Sequence, residues 1–439
     1  MLSRYWRWRK HNLYERPKPT YNADKFMAQN KTSPVAVGID LGSSAVRCVI
    51  GVHEEEAPAP SIIGVGVAPT NGIRKGVVHD VANTVSAITA AIDEAERISG
   101  VTISGATVGV NGQHLITASS RGIVAVGSAN REITQEDIAR VEEAATVMQL
   151  PPNREIIQIF PRNYTVDGQE HVKDPIGMSG MRLEVDTCLV TAATPFLKNT
   201  TRSVNQAGVT VNLHSATVLA AARTVANAQD KEIGCTVIDI GTNTTGVAVY
   251  EEGEVLHAAV IPVGAAHVTN DIAIGLRTEI ETAEAIKLEH VDADPRTAHA
   301  NEGFMVKELN GEMLNVTRAE VNEIAQARLQ ELFDLINREL GKVKRDGMLP
   351  GGALLCGGGA NLTGIAELAK QQLRLPVHIK SPRGFSGIVD KIQNPEFATV
   401  IGLMLEDMQT DHAAHSTLNL SSIVGNLQGR WHDIFDRFR

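Results

Sequence analysis

The chain has 439 residues, more than one ordinary domain holds, so two lobes are expected. Hydrophobic residues make up 43% and charged residues 21%, as in soluble globular proteins, and no apolar run approaches the roughly 20 residues that span a bilayer. The net charge of −10 argues against nucleic acid as a partner, because no overall positive field attracts phosphate backbones.

The four cysteines lie in apolar, strand-like runs that are far apart in the sequence. Their separation excludes the paired spacing of a metal knuckle, so buried reduced thiols in a reducing cytoplasm are expected. They are Cys48, Cys188, Cys235 and Cys356.

Residues 1–33 are polar, contain Pro17 and Pro19, and predict a flexible extension that does not resemble a secretory signal. At its start, aromatic and basic residues alternate. This pattern suits a second membrane anchor, a nucleic-acid arm or an unstructured tail, and the three interpretations stay open. The alternating residues are Arg4, Tyr5, Trp6, Arg7, Trp8, Arg9 and Lys10.

Order is predicted to begin at Pro34 with a β-hairpin, because apolar residues alternate on both sides of a Gly-Ser turn in VAVGIDLGSSAVRCVIGV. A third strand and a helix that stops at Gly100 follow. A second helix opens on Thr134 and Asp137, which form a capping box, inside a unit that spans about 110–186.

The layout of this hairpin recurs in TVIDIGTNTTGVAVY. In both segments an apolar strand leads to an aspartate, a hydrophobic residue, a glycine and a Ser/Thr-rich turn, and Asp239 follows Asp40 by 199 positions. Two occurrences in one chain predict a duplicated lobe. A long helical region over 317–344 and the segment ALLCGGGANLTGI come later.

The two turns have the composition of a phosphate-binding nest, in which backbone N–H groups turn toward an anion. Glycine permits the tight backbone and hydroxyl groups add donors. The residues are Gly42, Ser43 and Ser44 in the first turn, and Gly241, Thr242 and Thr244 in the second. Asp40 and Asp239 would repel phosphate, so we expect them to accept hydrogen bonds from the water shell of Mg²⁺.

A third element, Gly357-Gly358-Gly359, follows a predicted buried strand, where the absence of side chains lets a flat ring approach the main chain. Alone, each of the three elements is more often only a turn. Together and in this order, they predict a site for a polyphosphate and a base.

In this order of loops the sequence resembles the actin, Hsp70 and sugar-kinase superfamily. Four further stretches are similar to the FtsA family of bacterial division proteins: GVGVAPTNGIRKGVVHDV, HVKDPIGMSGMRLEVDTCLVTA, VIPVGAAHVTNDIA and ETAEAIKLEHV. The resemblance covers 34–407 and the final helix. It implies an α/β, actin-like (ribonuclease H-like) fold of two duplicated lobes, with an inserted small α+β subdomain and a C-terminal amphipathic helix.

The resemblance also implies the domain boundaries. The first lobe comprises 34–109 and 187–232 and is interrupted by the inserted subdomain, 110–186. The second lobe has a core, 233–270, a small subdomain, 271–344, and a final part, 345–407, that carries the adenosine loop and completes both lobes. A linker, 408–420, and a membrane-targeting helix, 421–439, are expected to follow.

By position, the resemblance implies that ATP and Mg²⁺ bind. It assigns Asp40 and the turn 42–44 to the first phosphate loop, and Asp239 and the turn 241–244, which includes Asn243, to the second. It assigns adenosine binding to Gly357, Gly358 and Gly359. It assigns ribose and adenine contacts to Glu284 and Lys287. The alternative for that pair, three apart on one helical face, is a solvated salt bridge.

Three departures from the family pattern bear on catalysis. The second loop usually reads GGGT but here is Gly241-Thr242-Asn243-Thr244, and a lysine common after the first loop is replaced by Ala45. No acid or amide that would orient water is seen near Ala216. We therefore expect at most a slow ATPase and a mainly structural protein.

The last segment, SSIVGNLQGRWHDIFDRFR, predicts an interfacial helix with a wide apolar face and arginines beside it. The alternative is a terminal helix docked on the core, but the polar segment before it favours a tether. The apolar positions are Ile423, Val424, Leu427, Trp431, Ile434, Phe435 and Phe438. One such helix binds reversibly, so stable attachment would need several copies, as polymerisation supplies.

The resemblance implies a role in cell division at the cytoplasmic face of the membrane. The expected partners are the C-terminal peptide of FtsZ at about 271–344, further copies of the chain or later division proteins at the inserted subdomain, and membrane lipids. Two alternatives remain: an adaptor resembling PilM, whose family lacks the terminal helix, and a sugar or acetate kinase, which would need a catalytic aspartate that nothing in the sequence marks.

Overall fold

The structure is a computed structural model that describes residues 35–53, 57, 59–128, 130–147, 150–296, 302–388 and 392–415. The strands are β1 Val35–Leu41, β2 Ala45–Val52, β3 Ser61–Pro69, β4 Ile73–Arg74, β5 Val77–Val78, β6 Gly105–Val110, β7 Ile116–Ala125, β8 Arg154–Val166, β9 Gln169–Val172, β10 Arg182–Ala193, β11 Thr210–Ala216, β12 Cys235–Ile240, β13 Thr245–Glu251, β14 Glu254–Ile261, β15 Gly303–Lys307, β16 Met313–Thr317, β17 Ala353–Cys356, β18 Val377–Ile379 and β19 Ser386–Gly387.

The helices of the described part are α1 Val81–Ser99, α2 Gln135–Thr146, α3 Thr194–Gln206, α4 Thr217–Val225, α5 Ala228–Ile233, α6 Ala265–Leu276, α7 Ile280–His290, α8 Arg318–Lys342, α9 Ile365–Leu373 and α10 Ala398–His415. As predicted, α1 ends at Gly100, whose φ of 72° is the left-handed conformation that glycine adopts readily. The capping box of α2 is also confirmed, since Thr134 and Asp137 bond each other's backbone N–H groups.

Two sheets share one strand order. In the first, β3, β2 and β1 are antiparallel, and β6 and β11 then continue parallel to β1. In the second, β14, β13 and β12 are antiparallel, and β17 and β18 continue parallel to β12. The duplication predicted from the two hairpins is therefore confirmed, and it places the turns after β1 and β12 at equivalent edges of the two sheets.

The inserted subdomain is a separate four-stranded sheet, in the order β7-β10-β8-β9, with α2 packed against it. Its small core is apolar, and Val141, Leu183 and Val185 are fully buried within it. The boundary expected after residue 186 falls inside β10, which continues to Ala193. The register of β10 against β7 is continuous to Thr191, whereas its register against β8 shifts between Asp186 and Thr187.

Helix α10 joins the two halves of the molecule although it comes last in the described chain. Its residues Val400, Ile401 and Met404 are buried against the first sheet. Gly38 of β1 makes this approach possible, because a Cβ there would clash with the backbone of Val400 and Met404.

The expected linker at 408–420 is wrong in its first part, since α10 continues to His415. Burial explains the difference: Met408 is 6% exposed and packs in the core beneath the first sheet, which favours continuing the helix over the tether that a polar composition suggests. Residues 416–420, the terminal segment 421–439 and the extension 1–33 lie outside the described residues. Within the described ranges, no helix is long and apolar enough to cross a membrane.

The expected burial of the thiols is confirmed. The cysteines at 48, 188, 235 and 356 are all free and buried. Burial raises the pKa of each thiol, so these side chains pack as small hydrophobic groups.

Candidate functional site

The turns of the two duplicated hairpins face each other across the space between the lobes. Residues 42–44 connect β1 to β2, and residues 241–244 connect β12 to β13. The hydroxyl of Thr242 donates a hydrogen bond of 3.0 Å to Oγ of Ser44. Among the described residues, no backbone–backbone hydrogen bond uses the N–H groups of Ser43, Ser44, Thr242 or Asn243. Both turns therefore offer backbone and hydroxyl donors to an anion.

The N-terminal end of α6 fixes the conformation of the turn 241–244. The N–H of Gly241 donates to the carbonyl of Thr244 at 2.8 Å, which closes the turn, while Ala265 and Ala266 at the start of α6 donate to the carbonyls of Gly241 and Thr242. Gly264 permits this contact, because a Cβ there would meet those carbonyl oxygens. The positive end of the α6 dipole is thus directed at the turn.

Each hairpin places a buried carboxylate beside its turn. Asp40, at 9% exposure, lies near the end of β1, and burial raises its pKa to about 6, with repulsion from Asp239 adding to the effect. Burial also raises the pKa of Asp239, near the end of β12, although the hydroxyl of Thr399 donates to its Oδ2 at 2.9 Å and lowers the pKa in part. The negative charge of Asp239 therefore makes Asp40 harder to ionise.

Arg47 supplies the positive charge at this point, and sequence reasoning missed it. It lies directly opposite Asp40 in the β1–β2 register, and its charge lowers the pKa of both Asp40 and Asp239. Its guanidinium donates to Oε2 of Glu396 at 2.6 Å and lies 5.6 Å from the ring centre of Phe397. The alternation of strand residues could have placed Arg47 beside Asp40, but not its two partners, which are far along the chain.

The three glycines after β17 have different surroundings. Gly357 has a φ of 80°, and a Cβ there would clash with the carboxylate of Asp239 and the carbonyl of Ile240. A Cβ on Gly359 would clash with the side chain of Ile240. Only Gly358 has open space where its Cβ would be. Gly357 and Gly359 therefore bring the loop close to β12, and only Gly358 of the three leaves room for a ring. All three glycines were expected from the sequence to leave such room.

Glu284 and Lys287 on α7 form a salt bridge, with Lys287 Nζ 2.7 Å from Oε2 of Glu284. The hydroxyl of Thr269 on α6 donates to the same carboxylate oxygen at 2.5 Å and accepts from Lys287 at 3.0 Å. Because the side chain of Lys287 is only 8% exposed, the pair is not the solvated salt bridge given above as the alternative. The two hydrogen bonds of Thr269 hold α7 against α6 and leave Glu284 half exposed.

The structure corrects the expectation that no amide lies near Ala216. Gln158, which comes from β8 of the inserted subdomain, accepts from the N–H of Ala216 at 3.0 Å and donates to Oγ of Ser215 at 3.0 Å. Asn111, just after β6, donates to the hydroxyl of Thr244 at 3.1 Å. Neither residue is near Ala216 in the sequence. Both amides are held in place by hydrogen bonds to protein groups.

The described residues contain no cluster of three or more His, Cys, Asp or Glu side chains that could bind a metal ion directly. Two oxygen donors, Asp40 and Asp239, nevertheless suit a hydrated Mg²⁺ ion, which retains most of its water shell. The positive charge of such an ion would also favour the ionised form of these two carboxylates, whose pKa is raised by burial. The arrangement can therefore hold a magnesium-bound polyanion between two turns.

Two family sequence models match the chain: one described as "Cell division protein FtsA" matches residues 236–402, and one described as "SHS2 domain inserted in FTSA" matches 112–191. A cell division protein FtsA of Pseudomonas aeruginosa is 35% identical over 384 residues, covering 87% of this chain and 91% of its own. That of Bacillus subtilis is 36% identical over 369 residues (84% and 82%), and that of Rhizobium meliloti is 33% identical over 426 (92% and 95%).

Solved structures with much lower identity share the fold. The PilM-PilN type IV pilus biogenesis complex matches with a TM-score of 0.61 at 18% identity, covering 85% of this chain and 98% of that one. MreB5 of Spiroplasma citri, bound to ADP, matches with a TM-score of 0.54 at 13% identity, covering 88% and 99%. Together with the strand order, these matches confirm the predicted actin-like α/β fold with its inserted subdomain.

Proposed function

The chain belongs to the FtsA family of cell division proteins, and from that premise we propose that it binds ATP between its two lobes. The observation that carries this proposal is the pair of duplicated turns that face each other within hydrogen-bond distance, each beside a buried carboxylate. MreB5 of Spiroplasma citri, which has the same fold, was solved with ADP and with AMPPNP. A nucleotide in this chain would place its phosphates against the two turns.

In this proposal, Ser43, Ser44 and the residues 241–244 donate hydrogen bonds to the phosphates, and Gly42 keeps the first turn tight. Asp40 and Asp239 accept hydrogen bonds from the water shell of Mg²⁺, and Arg47 offsets their repulsion. When bound, the metal ion supplies positive charge that neutralises the phosphate oxygens. The loop 357–359 borders the base, with Gly358 giving the open approach.

The proposed role of Glu284 and Lys287 is to contact the ribose and adenine from α7. The half-exposed carboxylate of Glu284 can accept from a ribose hydroxyl, while Lys287 and Thr269 keep it in position. Hydrolysis would be slow, because α4, which begins at Thr217, carries no acid or amide side chain to orient a water molecule. The protein then acts mainly as a nucleotide-dependent structural component of the division machinery.

We further propose that the small subdomain binds the C-terminal peptide of FtsZ. An open groove of ≈ 510 Å³ lies there between the end of α6, β16 and α8. Its apolar floor includes Leu314, Val316 and Ile324, and the exposed Glu323 adds an acceptor for a basic peptide residue. The residues that line it are Gly275, Leu276, Leu314, Asn315, Val316, Glu320, Glu323, Ile324 and Ala327.

The terminal segment 421–439 is proposed to attach the protein to the cytoplasmic face of the cell membrane, so that bound FtsZ filaments are tethered there. Self-assembly would multiply this weak attachment. The inserted subdomain would meet neighbouring copies or later division proteins.

Two experiments test the proposal. Calorimetry of the full chain with ATP and Mg²⁺ should register saturable binding that an Asp239→Asn substitution weakens, and no heat at any concentration would refute nucleotide binding. Co-sedimentation with liposomes of anionic lipid should pellet the full chain and the chain starting at Ser33, with and without ATP, but not a chain ending at Leu420, beyond the end of α10 at His415. Equal pelleting of the shortened chain would refute the membrane role of the last segment.

A further inference from the structure

The guanidinium of Arg47 borders the turn 42–44 and uses few of its donors within the fold. Its Nη1 lies 3.6 Å from the position that a Cβ on Gly42 would occupy. In the described part of the chain its single hydrogen bond runs from Nη2 to Oε2 of Glu396 at 2.6 Å, although the side chain is only 12% exposed. Nη1 is therefore a charged donor beside backbone N–H groups that are proposed to bind phosphate.

The burial of this guanidinium is incompletely compensated. Its Nε is buried and has no hydrogen-bond partner among the described residues. The charges of Asp40 and Asp239 account for a cation at this point, because Arg47 favours the ionised form of both carboxylates. Neither carboxylate accepts a hydrogen bond from it within the described ranges. The guanidinium thus keeps unused donors at a place where an anion is expected, and a buried donor without an acceptor costs free energy.

The segment 395–399, which leads into α10, is fastened to the second lobe at both ends. The carbonyl of Pro395 accepts a hydrogen bond from the N–H of Gly357 at 3.1 Å. The hydroxyl of Thr399 donates to Asp239 at 2.9 Å. These two bonds fix the backbone of the segment relative to the glycine loop and to the carboxylate beside the turn 241–244.

Two side chains of this segment hold Arg47 in one orientation. Glu396 forms the ion pair with it, and the ring centre of Phe397 lies 5.6 Å from its Cζ. An arginine that is already held by an ion pair and an aromatic ring loses little conformational freedom when it binds a ligand. The guanidinium is therefore preorganised beside the turn 42–44.

We propose that Arg47 donates through Nη1 to a phosphate oxygen of the bound nucleotide, and that Glu396 is the positioning residue that aims its guanidinium at the turn 42–44. The inference adds a charged phosphate ligand to the proposed ATP site and rests on that function. Guanidinium groups form short, charge-assisted hydrogen bonds to phosphate, which are stronger than those of neutral backbone and hydroxyl donors.

The charge of Glu396 alone predicts the opposite effect from a positioning role. Removing a carboxylate near a phosphate site lowers electrostatic repulsion, so phosphate binding should become tighter if Glu396 acts only through its charge. If Glu396 positions Arg47, the same substitution should weaken binding, because the donor is no longer held toward the turn. The direction of the change in affinity therefore separates the two roles.

The variants are made in the full chain. Glu396→Leu removes the acceptor, Glu396→Gln keeps an acceptor without the charge, and Arg47→Gln is made alone and combined with Glu396→Leu. The side chain of Glu396 is 33% exposed, so its replacement leaves the buried core intact. Glu251→Leu is the matched control, because it removes an ion pair of the same 2.6 Å length, to Arg345, at the end of β13 away from the turn 241–244.

Calorimetry at pH 8 with saturating Mg²⁺ measures the affinity for ATP and, separately, for inorganic tripolyphosphate. At this pH Asp40, whose pKa is about 6, is ionised, so its protonation contributes little. Glu396→Leu and Arg47→Gln should each weaken both ligands by about three- to tenfold, as expected for one charge-assisted hydrogen bond. Glu396→Gln should recover most of the loss, and Glu251→Leu should bind as the unsubstituted chain. The double variant should bind no more weakly than Arg47→Gln, because Glu396 acts through Arg47.

Unchanged or tighter binding of both ligands by Glu396→Leu would overturn the positioning role. Unchanged tripolyphosphate affinity in Arg47→Gln would overturn the phosphate contact itself. In either case the proposed function stands as long as the unsubstituted chain binds ATP. If tripolyphosphate binds with the expected pattern among the variants but ATP does not bind, the proposed function fails and the phosphate contact stands. Binding of neither ligand would overturn both.

Discussion

Thr399, in the first turn of α10, donates its hydroxyl to Oδ2 of Asp239 at 2.9 Å, and so connects the last described helix directly to the carboxylate beside the turn 241–244. The bond stabilises the ionised form of a carboxyl group whose pKa burial raises. It also fixes the orientation of Asp239, which in the proposed function must face the water shell of Mg²⁺.

Replacing Thr399 by valine should raise the pKa of Asp239 further, because the donor that favours the charged form is lost. Affinity for Mg²⁺ and ATP should then fall about tenfold at pH 6 and less at pH 8, where Asp239 is ionised more fully. Calorimetry at the two pH values measures the difference. Thr399→Ser keeps the hydroxyl and should behave as the unsubstituted chain; an equal loss in both variants would contradict this role of the bond.

Asp40→Asn should stabilise the nucleotide-free protein at neutral pH while weakening magnesium-dependent binding. The folded state raises the pKa of Asp40 from 3.8 to about 6, so the ionised group destabilises the fold above pH 6. The shift corresponds to at most about 3 kcal/mol in the free energy of unfolding.

This contribution should shrink as the pH falls through 6 and vanish below 3.8, where Asp40 is neutral in both states. Urea unfolding at pH 7.5 and pH 4 tests the expectation. The substitution should increase stability only at the higher pH. A variant less stable than the unsubstituted chain at pH 7.5 would show that burial of the Asp40 charge does not determine its contribution to stability.

Arg47→Gln should weaken binding of ATP and Mg²⁺ by about tenfold at pH 7, with a larger effect at pH 6. Removing the guanidinium leaves the pKa of both Asp40 and Asp239 higher, because its charge lowers both. Arg47→Lys retains the charge but not the geometry of the contacts to Glu396 and Phe397, and it should recover part of the affinity. The pH dependence of ATP affinity is the measurement, and an unchanged profile in Arg47→Gln would exclude the electrostatic role.

Leu314→Ala should lower the affinity for a fluorescent peptide with the C-terminal sequence of FtsZ by about tenfold, since truncation of an apolar contact costs roughly 1–2 kcal/mol. Met305→Ala is the matched control. Met305 lies on the other face of the β15–β16 hairpin, because Val306 and not Met305 pairs with Leu314. Fluorescence anisotropy measures both, and a peptide affinity equally sensitive to Met305 would place the peptide outside the groove.

Local patterns predicted the elements that depend on neighbours in the sequence. The alternation around Gly42 and Gly241 is sufficient for two hairpins, and their repetition is sufficient for two equivalent lobes. The partners of Arg47 could not be predicted in this way, because Glu396 is 349 residues away. The same limit applies to Gln158, whose strand brings an amide from the inserted subdomain to Ala216.

The segment after residue 407 shows a different limit. Its polar composition predicted a linker, yet α10 continues to His415. Asp407 is 3% exposed and accepts hydrogen bonds from the backbone of Val37 and the side chains of Thr107 and Asn212. Composition alone does not indicate this burial. A charged residue with several long-range donors can belong to a core, and only the tertiary structure reveals the donors.

The return of α10 to the first sheet has a consequence for the order in which the protein can fold. Its Asp407 binds β1, β6 and β11, and β19 extends the same sheet beside β3. The first lobe therefore lacks an edge strand and a covering helix until α10 has been synthesised, since Asp407 follows Val37 by 370 residues. The first lobe cannot complete its core before the second lobe has been synthesised, so the two must mature together.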